Sequence, residues 1–458
     1  MKKVLELKIR SITPVMLGGH NAKYIDSVVR IPSLRGIIRW ILRTIIASAA
    51  REMKLDEEDA IKKVVPFILG GYVDNIGSLS SRISIQGNLR LMKIDRSYFE
   101  RYIFSELTPK RDKIKVSFKH QRMELLWMDI AKDLNIKTKK GKPISPKIKQ
   151  KLFDEISKRV GVIQEGAIQI YTFSRTISYE EKLFAYACIL ALLLLGIGKG
   201  SRRGLGAIEI LEITTNDELN DIKRKFDEFG KALKDKNMEK ISAIFREIVK
   251  NAIENAKELI KIIKERYKVN IKEGSRGDIP KIPSLDNTSC IIYIKESKKL
   301  WEEICELNNE LFMRSGTLGL WLRGINDPCT QVKYLNHYIL GLPRSAKGQP
   351  KKCIKLNIHT GRLEPCFQKL GNRTGFIYLV DEKEKKEGRR ASPIILSAID
   401  SNFIILSIFK SEDWPDKIYW CSTKRTRPTF KPLKDVYELL LDELNEILKK
   451  RKFTKIFP

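Results

Sequence analysis

The feature that most constrains the fold lies at residues 178–210, where an apolar segment, a glycine-rich loop and a strand pattern follow one another. Ser178 and Glu181 have the spacing of a capping box, and 183–195 is an unbroken apolar run that ends at Gly196. This run is shorter than the roughly 20 residues that a membrane-spanning helix needs, and acidic residues precede it. The sequence therefore predicts a helix buried in a protein core.

The loop that follows, GIGKGSRRGLG at 196–206, combines glycines with cations. Glycines permit positive φ and let backbone N–H groups approach a phosphate closely, so this composition favours a seat for a polyanion. The loop residues that we expect to contact it are Gly198, Lys199, Gly200, Arg202, Arg203 and Gly204. A P-loop is excluded because Gly198-Lys199 is followed by another glycine, and no GxGxxG spacing occurs. Both of those loops lead from a strand into a helix, whereas this one leads from a helix into a strand predicted at 207–212.

The charge of the chain narrows the class of partner. The 458 residues include 87 Lys plus Arg against 56 Asp plus Glu, which gives a net charge of +31. This balance favours a soluble nucleic-acid-binding protein, and a merely basic surface is the alternative. The first ten residues, MKKVLELKIR, alternate in polarity and lack the apolar core of a signal peptide, so we expect a cytoplasmic protein.

The cysteines and histidines give no pattern of metal ligands. The seven cysteines are an odd number without a CxxC pair, and the four histidines are scattered, so we expect neither a metal nor another cofactor. Cys188 lies within the apolar run and is interpreted as a small core residue. Cys353 and Cys366 would be candidates for a disulfide if the host were a hyperthermophile.

A second helix is predicted from Ser33, which we expect to cap it. Its apolar residues fall on one face, and Arg35, Arg39 and Arg43 follow one another along the flank at intervals of four. Three arginines in such a ladder repel one another unless an anion lies beside them. They either contact RNA phosphates, or they are solvated or paired with a neighbouring domain.

The order of elements predicts the fold of the first half. Strands are expected at 4–12, 82–89, 166–174 and 207–212, with the two helices between them. This βαββαβ order is that of a ferredoxin-like unit, an antiparallel sheet with two helices on one face. Residues 95–160 interrupt it as an insertion, and the lysine-rich stretch 136–152 reads as a mobile basic loop.

The second half has a similar order. Residues 216–285 read as a helical connector and linker between a first domain at 1–215 and a second at 286–458. The second domain is predicted to contain a strand at 290–295, a helix at 297–313, strands at 391–399 and 403–409, and a helix at 434–450. The fold class is therefore α+β, with two ferredoxin-like, RRM-like units in tandem, the second degenerate.

Several segments together resemble the RAMP proteins of type III CRISPR systems, in particular the first RAMP subunit of the type III-B Cmr effector complex. They are ITPVMLGG, IPSLRGIIRWILR, GIGKGSRRGLG, LGLPR and RRASPIIL, and they extend over both halves. The helix motif with Arg35, Gly36, Arg39, Trp40 and Arg43 is specific to that subunit, whereas the glycine loop is common to RAMPs. The lysine-rich insertion is not part of the pattern.

The resemblance implies two ferredoxin-like folds and a subunit that binds RNA near the 3′ end of the guide and helps to capture target RNA. Its partners would be the CRISPR guide RNA, a single-stranded target RNA and other RAMP subunits, with no membrane. The subunit is not regarded as the nuclease. The glycine loop and the arginine helix would converge where the RNA lies, with His20, Tyr24 and Trp40 as candidates for base stacking. Trp40 has the alternative of a core or interface residue.

Two other functions are open. An endoribonuclease that trims the guide precursor without a metal would use His20 as general acid or base, with Tyr24 nearby. A structural cap that contacts only protein would leave the charge of +31 unexplained.

Overall fold

The computed structural model describes most of the chain. The described residues are 1–16, 28–110, 113–120, 146–198, 200–274, 277–312, 317–318, 322, 337–340, 344–347, 352–366, 373–377, 379–381, 386–387, 391–422 and 430–458.

The first half alternates strands and helices around one principal sheet. In chain order its elements are β1 (Lys2–Ser11), α1 (Ile31–Glu52), α2 (Glu57–Leu69), β2 (Gly71–Val73), β3 (Gly77–Leu79), β4 (Ile83–Asn88), β5 (Met92–Lys93), β6 (Phe104–Lys110), β7 (Lys113–Phe118), α3 (Pro146–Ser157), β8 (Gly161–Val162), β9 (Gly166–Thr172), α4 (Tyr179–Leu195) and β10 (Ile208–Thr215).

The principal sheet has the order β10-β1-β9-β4, and every neighbouring pair in it is antiparallel. The alternation of β1 explains how it packs: Leu5, Leu7 and Ile9 are fully buried, whereas Lys8 and Arg10 are exposed on the opposite face. The helices α1 and α4 pack on the buried face. The strands predicted at 4–12, 82–89, 166–174 and 207–212 all form, within a few residues of the expected bounds.

The helix α4 confirms the capping box. The Ser178 hydroxyl and the Glu181 carboxylate contact each other's backbone N–H groups, and Cys188 in the same helix is fully buried.

The start of helix α1 differs from the prediction. It begins at Ile31 with Arg30 as its N-cap residue, and no side chain caps it, so the assignment of Ser33 as the cap is wrong. Pro32 occupies the first turn, where its missing N–H costs nothing.

Two helices connect the halves, α5 (Asn220–Lys234) and α6 (Met238–Arg266). They do more than connect the halves, because the apolar side of α6 is part of the core. Ile248, Ala252 and Leu259 of α6 are buried in the same apolar core as α1 and α4, and the core continues into residues of the second half such as Phe409. The apolar core is therefore shared between the halves.

The second half contains a second four-stranded sheet and an inserted one. Its elements are β11 (Cys290–Glu296), α7 (Leu300–Phe312), β12 (Arg344–Lys347), β13 (Lys352–Asn357), β14 (Leu363–Cys366), β15 (Arg373–Ile377), β16 (Leu379–Asp381), β17 (Lys386–Glu387), β18 (Ile394–Ala398), β19 (Phe403–Phe409), β20 (Lys417–Ser422), α8 (Leu433–Lys450) and β21 (Thr454–Phe457).

The second sheet has the order β18-β19-β11-β21, again antiparallel throughout. Counted along the chain, its strands lie in the order second, third, first and fourth, which is the order of β4, β9, β1 and β10 in the first sheet. The α+β class with antiparallel sheets is thus confirmed. Sequence analysis missed β21 and the five-stranded sheet β12-β15-β20-β13-β14.

Two details of the predicted loops and pairings differ from expectation. The helix α3 occupies part of the lysine-rich stretch that was predicted to be a mobile loop, whose remainder, 136–145, lies outside the described residues. Cys353 forms its disulfide with Cys421 and not with Cys366. In the strand register Cys353 is opposite both of them, on β20 and β14, and that register could not be read from spacing along the chain.

A buried ion-pair cluster joins the end of α1 to the start of α2 and to the start of the second domain. Arg51 lies 2.9 Å from Glu57 and 3.0 Å from Asp286, and each of the three side chains is at most about a tenth exposed. Burial raises the pKa of Glu57. Burial alone would also raise the pKa of Asp286, but hydrogen bonds from Thr288 and Ser284 and the charge of Arg51 hold it below its ordinary value.

None of the helices in the described part of the chain is long and apolar enough to cross a membrane.

Candidate nucleic-acid interface

The exposed side of α1 carries two arginines that face solvent. Leu34, Ile38 and Ile41 turn inward, whereas Arg39 and Arg43 are exposed one turn apart. Within the described residues, neither arginine makes a hydrogen bond or an ion pair. Two neighbouring guanidinium groups with no acidic partner repel each other, and a polyanion would relieve that repulsion.

The third arginine of the predicted ladder has a different environment. Arg35 is half-buried, and its Nη2 donates to the backbone oxygen of Leu69 at 2.5 Å and to Ser81 Oγ at 3.1 Å. These contacts tie α1 to the end of α2 and to the segment that leads into β4. The sequence placed all three arginines together, but only Arg39 and Arg43 leave their guanidinium groups open on this face.

The glycine loop is closed by its own backbone. The Ile197 N–H donates to the Gly206 oxygen at 2.7 Å, and the Gly206 N–H donates to the Pro14 oxygen at 2.9 Å. Gly206 has φ of +63°, and a Cβ there would lie 1.8 Å from the Ile197 oxygen, so any larger residue would break this closure. Within the described residues, the N–H groups of Gly198 and Gly200 have no hydrogen-bond partner.

One side of the glycine loop packs against the second half. A Cβ on Gly204, whose φ is +86°, would lie 2.3 Å from Ile304 Cγ2 of α7. The Leu396 N–H of β18 donates to the Arg202 oxygen at 3.2 Å. The loop therefore joins the two sheets, in addition to connecting α4 with β10.

Arg202 and Arg203 both lie over aromatic rings. The Arg202 guanidinium carbon lies 4.7 Å from the centre of the Trp40 ring, and the Trp40 ring meets Phe409 edge-on at 5.1 Å. Trp40 therefore lies between the two halves as an interface residue, which was the alternative to base stacking. Its stack with Arg202 also joins the glycine loop to α1, the helix that carries Arg39 and Arg43.

Arg203 is held by the second half and by the insertion. Its guanidinium carbon lies 3.6 Å from the centre of the Phe312 ring, and its Nη2 donates to the Leu340 oxygen at 3.2 Å. A ring nitrogen of His120 lies 2.9 Å from the Arg203 backbone oxygen. His120 is fully buried and stacks on Trp301. These contacts place the Arg203 side chain in the joint between the halves.

Of the other predicted site residues, Lys199, His20 and Tyr24 lie outside the described residues. The described residues before His20 and Tyr24 end at Met16. Pro14, two residues earlier, accepts a hydrogen bond from the Gly206 N–H of the glycine loop. The structure thus brings together α1, the glycine loop and the start of that segment.

On the open face of the first sheet, unlike the exposed side of α1, the cations of β1 are in ion pairs. Lys8 lies 2.6 Å from Glu212, and Arg10 lies 2.7 Å from Glu209. Because these cations are already neutralised across the β1–β10 pair, the open face offers less charge to a polyanion than the exposed side of α1 does.

The described residues contain no group of three or more His, Cys, Asp or Glu side chains that could hold a metal ion. Burial raises the pKa of Cys188 to about 12, so its thiol stays protonated at neutral pH.

Sequence reasoning missed the partners that hold the glycine loop, namely Phe312, Ile304, Leu340 and His120. Phe312 and Ile304 lie on the inward side of α7, and their apolar spacing signalled burial but not what they would cover. No local pattern connects them with a loop that precedes them by about a hundred residues along the chain.

Comparisons with known proteins give a family for much of the first half. The family model described as RAMP superfamily matches residues 8–209. This part of the chain is therefore similar to the RAMP superfamily. No curated protein matches the chain.

Three solved structures are similar in fold. A chain of the Type III-B Cmr-beta bound to cognate target RNA is 16% identical with a TM-score of 0.50, over 97% of this chain and 100% of that chain. A chain of Cmr-beta bound to target RNA and AMPPnP in the presence of ssDNA is 14% identical with a TM-score of 0.50, over 98% and 100%. Cmr1 from Pyrococcus furiosus is 14% identical with a TM-score of 0.48, over 99% and 98%. At these identities the first two show a shared fold.

Proposed function

From the match of residues 8–209 to the RAMP superfamily, we propose that this protein is an RNA-binding subunit of a type III-B CRISPR effector complex of the Cmr kind. In this proposal it contacts guide RNA, target RNA or both near the 3′ end of the guide, beside other RAMP subunits, and does not cleave RNA. The two four-stranded sheets are its two ferredoxin-like units.

The observation that carries the proposal is the pair Arg39 and Arg43. Both are exposed on α1, and both lack partners within the described residues. The N–H groups of Gly198 and Gly200, which have no hydrogen-bond partner in the described part of the chain, lie in the loop that stacks on the same helix through Arg202 and Trp40. Guanidinium groups and backbone N–H groups are both donors that suit the phosphates of a single strand.

The charge and the similar structures support the same class of partner. A net charge of +31 favours a polyanion, and the first two similar structures have target RNA in their descriptions. In a guided complex the bases are read by pairing with the guide, so a subunit that binds phosphates without reading sequence is what such a complex requires.

A charge-reversal experiment tests the surface. Arg39→Glu combined with Arg43→Glu should weaken binding of the full chain to single-stranded RNA in fluorescence anisotropy, with an unchanged thermal melting curve. Lys231→Glu combined with Lys234→Glu, an equal change of charge at two exposed residues of α5, is the control and should bind nearly as the wild type does. Equal losses in both variants would mean that the effect is net charge alone and that α1 is not the site.

Purification from the native host tests the assignment to a complex. The protein should co-purify with repeat-derived guide RNA and with further RAMP subunits. Labelled repeat-containing RNA should stay intact with or without Mg²⁺. Metal-independent cutting that is lost in His20→Ala would replace this proposal by the guide-processing endoribonuclease.

A further inference from the structure

The open face of the first sheet has two aromatic residues at the C-terminal end of β9. Tyr171 is half-buried on β9, and Phe173, which directly follows the strand, is 63% exposed. Thr172 between them is fully buried, so the alternation of the strand continues and both rings lie on the open side. The Phe173 N–H donates to the Arg82 oxygen at 3.0 Å, which extends the pairing of β9 with the edge strand β4.

The exposure of Phe173 has no role in the fold. An exposed phenylalanine leaves most of its apolar area in water, and the hydrophobic effect gives no gain from it. The surroundings do not form an apolar patch of the kind that a protein partner would cover. Lys3 of β1 and Ser84 of β4 lie opposite Tyr171 in the register. Polar Gln86 and Gln169 follow along the same face.

The neighbours suit a nucleotide. Arg175, two residues beyond Phe173, is exposed and has no ion pair within the described part of the chain. The exposed amide of Gln86 can donate to and accept from a base edge, whereas Gln169 Oε1 already accepts from the Tyr171 hydroxyl at 3.0 Å. Aromatic rings flanked by a cation and amides on an open antiparallel sheet are a combination by which proteins bind single-stranded RNA.

We propose that Tyr171 and Phe173 form a stacking platform for two successive bases of single-stranded RNA. Residues two apart on a strand are separated by roughly 6.6 Å, which suits bases splayed apart more than a continuous base stack. The platform is separate from the phosphate contacts of Arg39 and Arg43, and it rests on the proposed RNA-binding function.

The test is binding of 2-aminopurine-labelled single-stranded RNA to the full chain at several salt concentrations. Phe173→Ala should weaken binding about 5- to 150-fold, the range for loss of one stacked base, and should leave the salt dependence unchanged because no charge is removed. Phe173→Trp should restore the affinity and the fluorescence quenching. Tyr72→Ala removes another exposed aromatic side chain, on β2, and should have no effect.

The outcomes separate the two proposals. If the wild type binds RNA but Phe173→Ala binds as tightly as Tyr72→Ala does, the platform is wrong and the proposed function stands. If the wild type binds no RNA, both are wrong. Because Phe173 is exposed, its variants should keep the melting temperature of the wild type. If Phe173→Ala does not fold, Phe173→Leu serves in its place, with the same expected loss of stacking.

Discussion

The two arginine pairs that the sequence marks as phosphate contacts differ in where their charges lie. Arg39 and Arg43 on α1 face solvent without partners in the described residues, whereas Arg202 and Arg203 lie over the rings of Trp40 and Phe312. The first pair has its guanidinium groups open to a ligand. In the second pair, Arg202 packs the loop against α1, and Arg203 fastens the loop to residues of the second half.

The difference shows that a basic motif does not specify the use of its charges. A guanidinium group is weakly hydrated and stacks well on aromatic rings, so it can stabilise an interface as readily as it binds a phosphate. The use of an arginine depends on whether the fold places an aromatic ring or a carbonyl oxygen next to its guanidinium group. For Arg203 it brings both.

The largest effect is expected from an arginine that is turned fully inward. Arg51→Ala should lower the free energy of unfolding by about 3–5 kcal/mol, because it leaves Glu57 and Asp286 buried without their cation. Urea denaturation gives this value. Arg43→Ala, on the exposed side of the same helix, is the matched control and should change stability little. Equal losses would mean that the contrast between inward and outward arginines does not hold.

Gly204→Val should be the next most severe change. A residue with a Cβ is strained at φ of +86°, and the new side chain would collide with Ile304. We expect a loss of about 2–4 kcal/mol in the free energy of unfolding, from backbone strain plus overpacking. A variant with wild-type stability would show that the loop does not pack against the second half.

The Arg51 cluster also predicts how stability depends on pH. The pKa of Asp286 is below its ordinary value of 3.8 in the folded protein, so its ionised form is favoured by folding. This contribution is complete above the ordinary pKa and disappears as pH falls through the lowered one. The difference in stability between wild type and Asp286→Asn should shrink as pH falls below about 4, through the lowered pKa of Asp286. A difference that instead grew on acidification would mean that Asp286 does not act as an ionised partner of Arg51.

The smallest expected effect is on the exposed side of α1. A Cβ on Gly36 would meet no atom within 4 Å. Gly36→Ala should therefore stabilise the helix, by up to about 1 kcal/mol, because alanine loses less backbone entropy than glycine. Thermal unfolding measures the gain. A loss of stability would show that this side of α1 is covered by another part of the chain.

The sequence predicted the elements of the first sheet well because their patterns are local. The capping box at Ser178, the apolar run of α4 and the alternation of β1 each depend on a few neighbouring residues. The position of Arg202 against Trp40 and the pairing of Cys353 with Cys421 depend on how distant elements meet. No spacing along the chain encodes those contacts, so sequence reasoning could list the arginines but could not divide them into two uses.

The most direct test of the central claim is the salt dependence of binding to single-stranded RNA. For a single strand, the logarithm of the binding constant falls with the logarithm of salt concentration by about 0.7 per neutralised phosphate. Arg39→Ala with Arg43→Ala should therefore flatten the slope by about 1.4 if each arginine neutralises one phosphate. Arg203→Ala should leave the slope unchanged and lower the melting temperature. An unchanged slope in the Arg39 and Arg43 double variant, measured on folded protein, would contradict the account.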